Sequence, residues 1–196
     1  MLHYFVVKLD KRIQDEIDFN GGKIYLDTKF NEFEHRVCHG EVVATPKKYD
    51  TPVQVGDTLY FHHLVVINGG MPFEGREGEY LVSYDPAHVI NCHAFAYTPS
   101  GGSEIIGLSH WSCLEPCEVP ETKQSGIEEV SLSSPDPDSG KVHYVTERLA
   151  ELGLSEGDVV VFQSNRRYDF KTASGDKMYR MRTSDLLYVQ EEVHHD

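Results

Sequence analysis

The stretch Val53–Phe61 reads Val-Gln-Val-Gly-Asp-Thr-Leu-Tyr-Phe and places a glycine-aspartate pair directly before a run of apolar and β-branched residues. Glycine accepts a positive φ without steric strain, and aspartate can bond its own backbone, so the pair predicts a tight turn. The run that follows is typical of a β-strand. We therefore predict a turn that leads into a strand here.

The second half of the chain contains a counterpart of this stretch. Gly153–Phe162 reads Gly-Leu-Ser-Glu-Gly-Asp-Val-Val-Val-Phe and again places Gly-Asp before an apolar run. Other segments match in the same order: Gly40–Ala44 with Gly140–Tyr144, and Tyr80–Ser83 then Val89–Ile90 with Tyr179–Arg182 then Leu186–Val189. Several matches in one order, at a near-constant offset, indicate an internal duplication.

The duplicated pattern predicts an all-β fold. Each half holds short β-rich runs bounded by Gly, Pro, Asn and Asp, which favours a small β-barrel per half. The one helical pattern is Thr146–Leu152, about two turns long, which would cap a barrel. The small residues at 99–103 predict a flexible linker between a first domain (1–98) and a second domain (104–196).

The composition excludes some classes of function. The chain has 196 residues, with 18 Lys and Arg against 32 Asp and Glu, so its formal net charge is −14. An acidic chain lacks the basic footprint that phosphate neutralisation requires, which argues against nucleic acid as the main partner. At roughly 100–200 residues per domain, the length fits one large domain or two small ones.

The apolar runs and the cysteines predict a cytoplasmic protein. Apolar runs such as Phe5–Val7 and Leu64–Ile67 are far shorter than the roughly 20 residues of a membrane helix. The first residues show no secretory signal pattern. The four cysteines include no Cys-x-x-Cys pair, and a chain of this length folds without disulfides. We therefore expect a reducing compartment and no membrane association.

Five segments of the first half follow one another in a recognisable order: Phe5–Lys8, Gly21–Leu26, Gly40–Ala44, Val53–Phe61 and Tyr80–Ile90. This order resembles that of the co-chaperonin family (GroES, or chaperonin-10 type), closely over residues 3–92 and more loosely over 105–190. The resemblance implies two tandem GroES-like small β-barrels and a homo-oligomeric ring. It also implies a chaperone that caps a GroEL-type chaperonin and assists ATP-dependent protein folding.

Two departures from the family pattern shape this expectation. Thr45–Pro52 is shorter than the hairpin that roofs the bacterial dome, which implies a phage-like, roofless dome. The duplication is similar in outline to the tandem co-chaperonins of chloroplasts. Either seven chains form the ring with their first domains, or about four chains form it with both.

The candidate partner-binding site is the segment at about 11–36, a long polar stretch that contains a short apolar tripeptide. By the resemblance, this mobile loop docks on the chaperonin through Gly21, Gly22, Ile24, Tyr25 and Leu26. Glycines keep a free loop flexible, and residues two apart on an extended chain, such as Ile24 and Leu26, face the same way. The alternative is that residues 23–26 form an ordinary core or edge strand.

The equivalent stretch of the second half is a weaker candidate. It lacks a Gly-Gly pair and a contiguous aliphatic tripeptide, and its apolar residues are Ile127, Val130 and Leu132. A second chaperonin-binding loop would use these three side chains.

Metal, cofactor and catalytic sites are not expected. His62 and His63 suggest a metal site with His88, His93 or Cys92, but adjacent strand residues point to opposite faces. Cys113 and Cys117, with His110, could pair or bind metal, although buried free thiols are the simpler interpretation. Gly140-Lys141 lacks the other residues of a phosphate loop, and no Gly-x-Ser-x-Gly motif occurs. We therefore expect no enzyme activity and no cofactor.

Two rival functions are retained. One is a structural or assembly protein that reuses the barrel without meeting a chaperonin, since one fold hosts many functions. The other is a cupin-like, metal-binding barrel that uses His62, His63 and His88.

Overall fold

A computed structural model describes residues 2–10, 16–19, 22–25, 35–67, 71–118 and 135–190. The strands of the first half are β1 (Tyr4–Lys8), β2 (Glu16–Phe19), β3 (Gly22–Tyr25), β4 (His39–Ala44), β5 (Thr58–Phe61), β6 (Glu79–Ser83), β7 (Ala94–Thr98) and β8 (Ile106–Gly107). Those of the second half are β9 (Trp111–Glu118), β10 (Pro135–Val142), β11 (Val159–Phe162), β12 (Tyr168–Lys171), β13 (Lys177–Arg182) and β14 (Leu186–Val189). A short helix, α1 (Glu147–Glu151), lies between β10 and β11, and 3-10 turns span His63–Val65, Val89–Asn91, Ser164–Arg166 and Thr183–Asp185.

The strands form two six-stranded antiparallel sheets and a separate two-stranded one. The first sheet has the order β6-β1-β4-β5-β7-β8, and the second has the order β12-β13-β9-β10-β11-β14. The all-β prediction is confirmed. Over the described residues, neither sheet is closed into a barrel.

The two Gly-Asp turns have the same hydrogen bonds. The carboxylate of Asp57 accepts from the backbone N–H of Gln54 at 2.7 Å, and that of Asp158 accepts from Ser155 at 2.7 Å. The glycine before each aspartate has a positive φ, 94° in the first half and 90° in the second. The sequence prediction of a tight turn is therefore confirmed in both halves.

The duplication extends to the order and register of the strands. The series β6-β1-β4-β5-β7 corresponds strand by strand to β13-β9-β10-β11-β14. Leu59 pairs with Tyr97 in the first sheet, and Val160 pairs with Val189 at the equivalent place in the second. In both strand pairs the register then shifts, after Tyr60 in β5 and after Val161 in β11. Residues 71–73 bond to the outer edge of β6, as β12 does to β13. β8 has no counterpart among the described residues.

Each half has its own apolar core. The first core includes Phe5, Val42 and Phe61, which are fully buried. The second includes Leu114 and Leu149, also fully buried. Leu149 comes from α1, whose first turn is capped by the Thr146 hydroxyl. No helix within the described part of the chain has the length and apolar character needed to cross a membrane.

A third apolar cluster joins the two halves, and we call it the junction. Its buried members are Cys38, Tyr60, Phe95, Ala96 and Ile105 from the first half and Trp111, Cys113, Phe170 and Met178 from the second. The predicted linker, 99–103, lies in the turn between β7 and β8, where the backbone N–H of Ser100 donates to Asp57 at 2.9 Å. The first sheet therefore continues past this segment to Gly107.

Candidate partner-binding site

The hairpin of β2 and β3 forms a sheet of its own and pairs with neither large sheet in the described residues. Its register pairs Ile17 with Ile24 and Phe19 with Gly22. Two residues, Asn20 and Gly21, connect the strands. Asn-Gly is the sequence that two-residue hairpin connections favour, so a signal for this hairpin was present in the sequence.

β3 presents two large apolar side chains to solvent. Ile24 is 48% exposed and Tyr25 is 74% exposed. Because they are adjacent on a strand, they lie on opposite faces of the hairpin. Gly22–Tyr25 are all exposed and so do not form a core strand, whereas the edge-strand alternative fits β3, which pairs only with β2 among the described strands.

Several predicted contact residues lie outside the described residues. Gly21 and Leu26, the residues directly before and after β3, are among them. That Ile24 and Leu26 face the same way therefore stays a prediction. The second-loop residues Ile127, Val130 and Leu132 also lie outside. The predicted long loop differs from the structure in one respect, because part of it is paired strand.

A second group of polar side chains lies at the junction, around the phenol of Tyr168. The oxygen of Tyr168 accepts from the backbone N–H of His63 at 3.1 Å and lies 2.7 Å from Nδ1 of His63. The thiol of Cys38 is 3.5 Å from the same oxygen. Burial raises the pKa of the Tyr168 phenol, so it stays protonated. Hydrogen bonds to the phenol of Tyr168 thus tie the two halves together.

Sequence reasoning missed the arrangement of the two adjacent histidines. β5 ends before them, and their rings stack with centroids 4.6 Å apart instead of pointing to opposite faces. Nδ1 of His62 accepts from the backbone N–H of Leu64 at 3.3 Å. Burial, and then the nearby positive charges of His63 and Arg180, lowers the pKa of His62 to about 4.

The guanidinium of Arg180 lies among aromatic rings at the junction. Its central carbon is 4.1 Å from the ring centre of Trp111, 4.5 Å from that of Tyr168 and 5.3 Å from that of Phe95. Burial lowers the pKa of Arg180 to about 10, which leaves it charged near neutrality. At these contacts, the buried charge of Arg180 is therefore stabilised by cation–π attraction and not by a carboxylate.

A serine-histidine pair lines a surface cleft of about 480 Å³. The hydroxyl of Ser83 donates to the carbonyl of Asn91 at 2.6 Å and lies 2.8 Å from Nδ1 of His93. Asp85 bonds to His88, at 3.1 Å, and not to His93. The geometry of a Ser-His-Asp relay, in which the carboxylate orients the base, is thus not formed by these residues.

The cysteines and histidines do not converge on a metal site in the described residues. All four cysteines are free thiols, and Cys38, Cys92 and Cys113 are buried. Burial raises the pKa of Cys113 to about 12, so this thiol is not an activated nucleophile.

In comparisons with known proteins, no family model and no curated sequence matches this chain.

Proposed function

We propose that this chain is a co-chaperonin-like cap that binds a GroEL-type chaperonin ring and assists ATP-dependent folding. The observation that carries the proposal is the separate β2–β3 hairpin, which exposes Ile24 and Tyr25. Large apolar side chains on a short hairpin outside the main sheets suit docking into an apolar groove. The order of sequence segments, which resembles that of the co-chaperonin family, supports the choice of a GroEL-type chaperonin as the partner.

Docking through this hairpin would be weak for one copy. Burying an aliphatic or aromatic side chain is worth roughly 1.5–3 kcal/mol, and ordering a segment on binding costs about 2–5 kcal/mol. Presentation of several hairpins on one ring adds avidity on the order of 10²–10⁴. The proposed cap is therefore a homo-oligomeric ring, in which many weak contacts act together.

The proposed cap consists of two GroES-like units, one in each half. The repeated Gly-Asp turns and the matching strand order support this duplication. Residues 45–57, between β4 and β5, contain no strand. This fits a dome without a roof hairpin. The chaperonin, and not the cap, would bind and hydrolyse ATP.

The test is nucleotide-dependent binding of the full chain to a sevenfold GroEL-type chaperonin, measured by light scattering on a sizing column. The wild type should elute with the chaperonin only when ATP is present, and Ile24→Asp should abolish this complex. The matched control is Val55→Asp, because Val55 is also aliphatic and 65% exposed but lies outside the hairpin.

Two outcomes would contradict the proposal. One is a wild-type protein that forms no complex with ATP, which would favour the rival assembly-protein function. The other is an Ile24→Asp protein that binds as tightly as the Val55→Asp control, because the hairpin would then not be the contact.

A further inference from the structure

Two arginines of β13, Arg180 and Arg182, have no counterpart in the first half. In β6, which corresponds to β13, the equivalent positions are occupied by Leu81 and Ser83. The same strand plan therefore forms with an aliphatic and a hydroxyl side chain at these two places. The fold itself requires neither positive charge, so both arginines call for another explanation.

Both arginines lie against the same aromatic ring. Residues two apart on a strand share a face of the sheet. The central carbon of the guanidinium is 4.1 Å from a ring centre of Trp111 for Arg180 and 5.8 Å for Arg182. The pKa of Arg180 is lowered first by burial and further by the charge of Arg182, so two like charges are held close together.

The guanidinium of Arg180 lacks hydrogen-bond acceptors. It has five N–H donors, and its Nε is buried and bonds to no acceptor in the described residues. The rings of Trp111, Tyr168 and Phe95 stabilise the charge but supply no oxygen acceptor at these contacts. No carboxylate of the described ranges pairs with Arg180 or Arg182. Since unpaired buried donors cost free energy, an external anion would stabilise this arrangement.

His62 adds a further donor beside these arginines. Its Nδ1 accepts a hydrogen bond from the backbone N–H of Leu64, so its proton is on Nε2. Its ring packs on that of Tyr168, with the centroids 4.6 Å apart, and Arg180 contacts the same ring. After burial, the groups that lower the pKa of His62 are all basic, and Arg180 and Arg36 are among them. The charge collected around His62 is therefore positive.

This basic cluster is accessible to solvent in a chain that is otherwise acidic. Arg180, Arg182 and His62 are each partly exposed. His93, whose pKa is lowered by burial and then by Arg180, also lines the surface cleft of about 480 Å³. Because the formal net charge of the chain is −14, a local concentration of positive groups is an exception that attracts anions.

We propose that Arg180, Arg182 and His62 form a binding site for a phosphate group, either free inorganic phosphate or the phosphate of a small monoester. A phosphate monoester carries about −1.5 to −2 charges near neutrality and three acceptor oxygens, which suits two guanidiniums and an imidazole N–H. A carboxylate has one charge and two oxygens, so it would leave more donors unpaired. The inference does not rest on the proposed function.

The test is isothermal titration calorimetry of the full chain with inorganic phosphate, methyl phosphate or acetate, with the ionic strength held constant by sodium chloride. The wild type should bind one phosphate per chain and should bind acetate more weakly. Binding of both phosphate and methyl phosphate would indicate a site for monoesters, whereas binding of phosphate alone would indicate a site for the free ion.

Arg180→Leu should abolish phosphate binding, and leucine is the residue that the first half has at this position. Arg180→Lys keeps the charge but loses the planar fork of donors, so it should bind about tenfold more weakly or worse. The control Arg166→Leu should bind as the wild type does, because Arg166 is exposed in the turn after β11. Circular dichroism checks that each variant folds, and Arg182→Ser replaces Arg180→Leu if the latter does not.

Three results would overturn the inference. The first is a wild-type protein that shows saturable binding of neither inorganic phosphate nor methyl phosphate. The second is a folded Arg180→Leu protein, or its Arg182→Ser replacement, that binds phosphate as tightly as Arg166→Leu does. The third is acetate binding as tight as phosphate binding, which would contradict the choice of a phosphate group.

Discussion

His63 and Tyr168 lie 105 residues apart in the chain, yet Nδ1 of His63 is 2.7 Å from the phenol oxygen of Tyr168. The backbone N–H of His63 bonds to the same oxygen. This one side chain of the second half therefore satisfies two polar groups of the first. Apolar packing alone does not fix the relative position of two surfaces as closely as directional bonds do, so the pair specifies how the halves meet.

Loss of the Tyr168 hydroxyl should destabilise the protein. In Tyr168→Phe the backbone N–H and Nδ1 of His63 lose their hydrogen bonds with the phenol oxygen, and removing one partner of a buried hydrogen bond costs about 1–3 kcal/mol. We expect the free energy of unfolding in urea to fall by about 1–3 kcal/mol. The control Tyr25→Phe removes an exposed hydroxyl and should leave stability unchanged; equal stability of both variants would contradict the role of the junction bond.

The two turn aspartates should differ in their contribution to stability. The carboxylate of Asp57 accepts from Gln54 and from Ser100, and the residue is 6% exposed. The carboxylate of Asp158 accepts from Ser155 and is less buried. Because bonds to charged groups contribute about 1.5–3 kcal/mol, Asp57→Ala should cost more than Asp158→Ala by about that amount. Equal losses in urea unfolding would show that the bond to Ser100 adds nothing.

Stability should fall as the pH drops from about 6.5 towards 4. The pKa of His62 is lowered from 6.5 to about 4 in the folded protein, mainly by burial and then by His63 and Arg180. Within this window the unfolded chain binds a proton that the folded chain does not, so acid favours unfolding. The contribution of the neutral His62 ring to the free energy of unfolding is fully present above pH 6.5 and is lost progressively below it.

His62→Gln should make the melting temperature less dependent on pH in this window, since glutamine does not titrate. Position 163, the equivalent residue of the second half, is itself glutamine. His88→Gln, at a side chain that is 71% exposed, is the control. An unchanged slope in His62→Gln would mean that other groups set the acid sensitivity.

Thiol labelling should separate one cysteine from the other three. Cys38, Cys92 and Cys113 are buried, and burial raises the pKa of each, whereas Cys117 is partly exposed. A thiol reagent at neutral pH should therefore modify one group per chain rapidly and the rest slowly. Cys117→Ser should remove the fast phase and Cys113→Ser should keep it; the reverse result would contradict the burial pattern.

The sequence predicted the parts of the fold that local chemistry determines. A glycine at positive φ followed by a bonding aspartate makes the same turn wherever it occurs, so both copies were recognisable at Gly56 and Gly157. The helix at residues 147–151 was predicted from its short helical pattern with Leu149 and Leu152 at the spacing of one face; in the structure Leu149 is buried and Leu152 is 62% exposed. Such features need no distant partner.

The rest of the fold and of the candidate site depends on contacts between segments that are far apart in the sequence. Nothing near His62 and His63 in the sequence indicates that the chain turns out of its strand there and that Tyr168 meets both rings. The residues that bury Phe95 come from 168–180, which no local pattern could reveal. The hairpin that carries Ile24 differs from the predicted loop, because its two strands are only four residues each and give a weak local pattern.

The packing of Arg180 against Trp111 gives the molecule an internal fluorescent probe. Trp111 is the chain's single tryptophan, it is 6% exposed, and it lies where the two halves meet. Separation of the halves would hydrate the indole and shift its emission to longer wavelength, whereas events confined to the β2–β3 hairpin leave its surroundings intact. Opening of the junction can thus be timed in unlabelled protein, independently of partner binding.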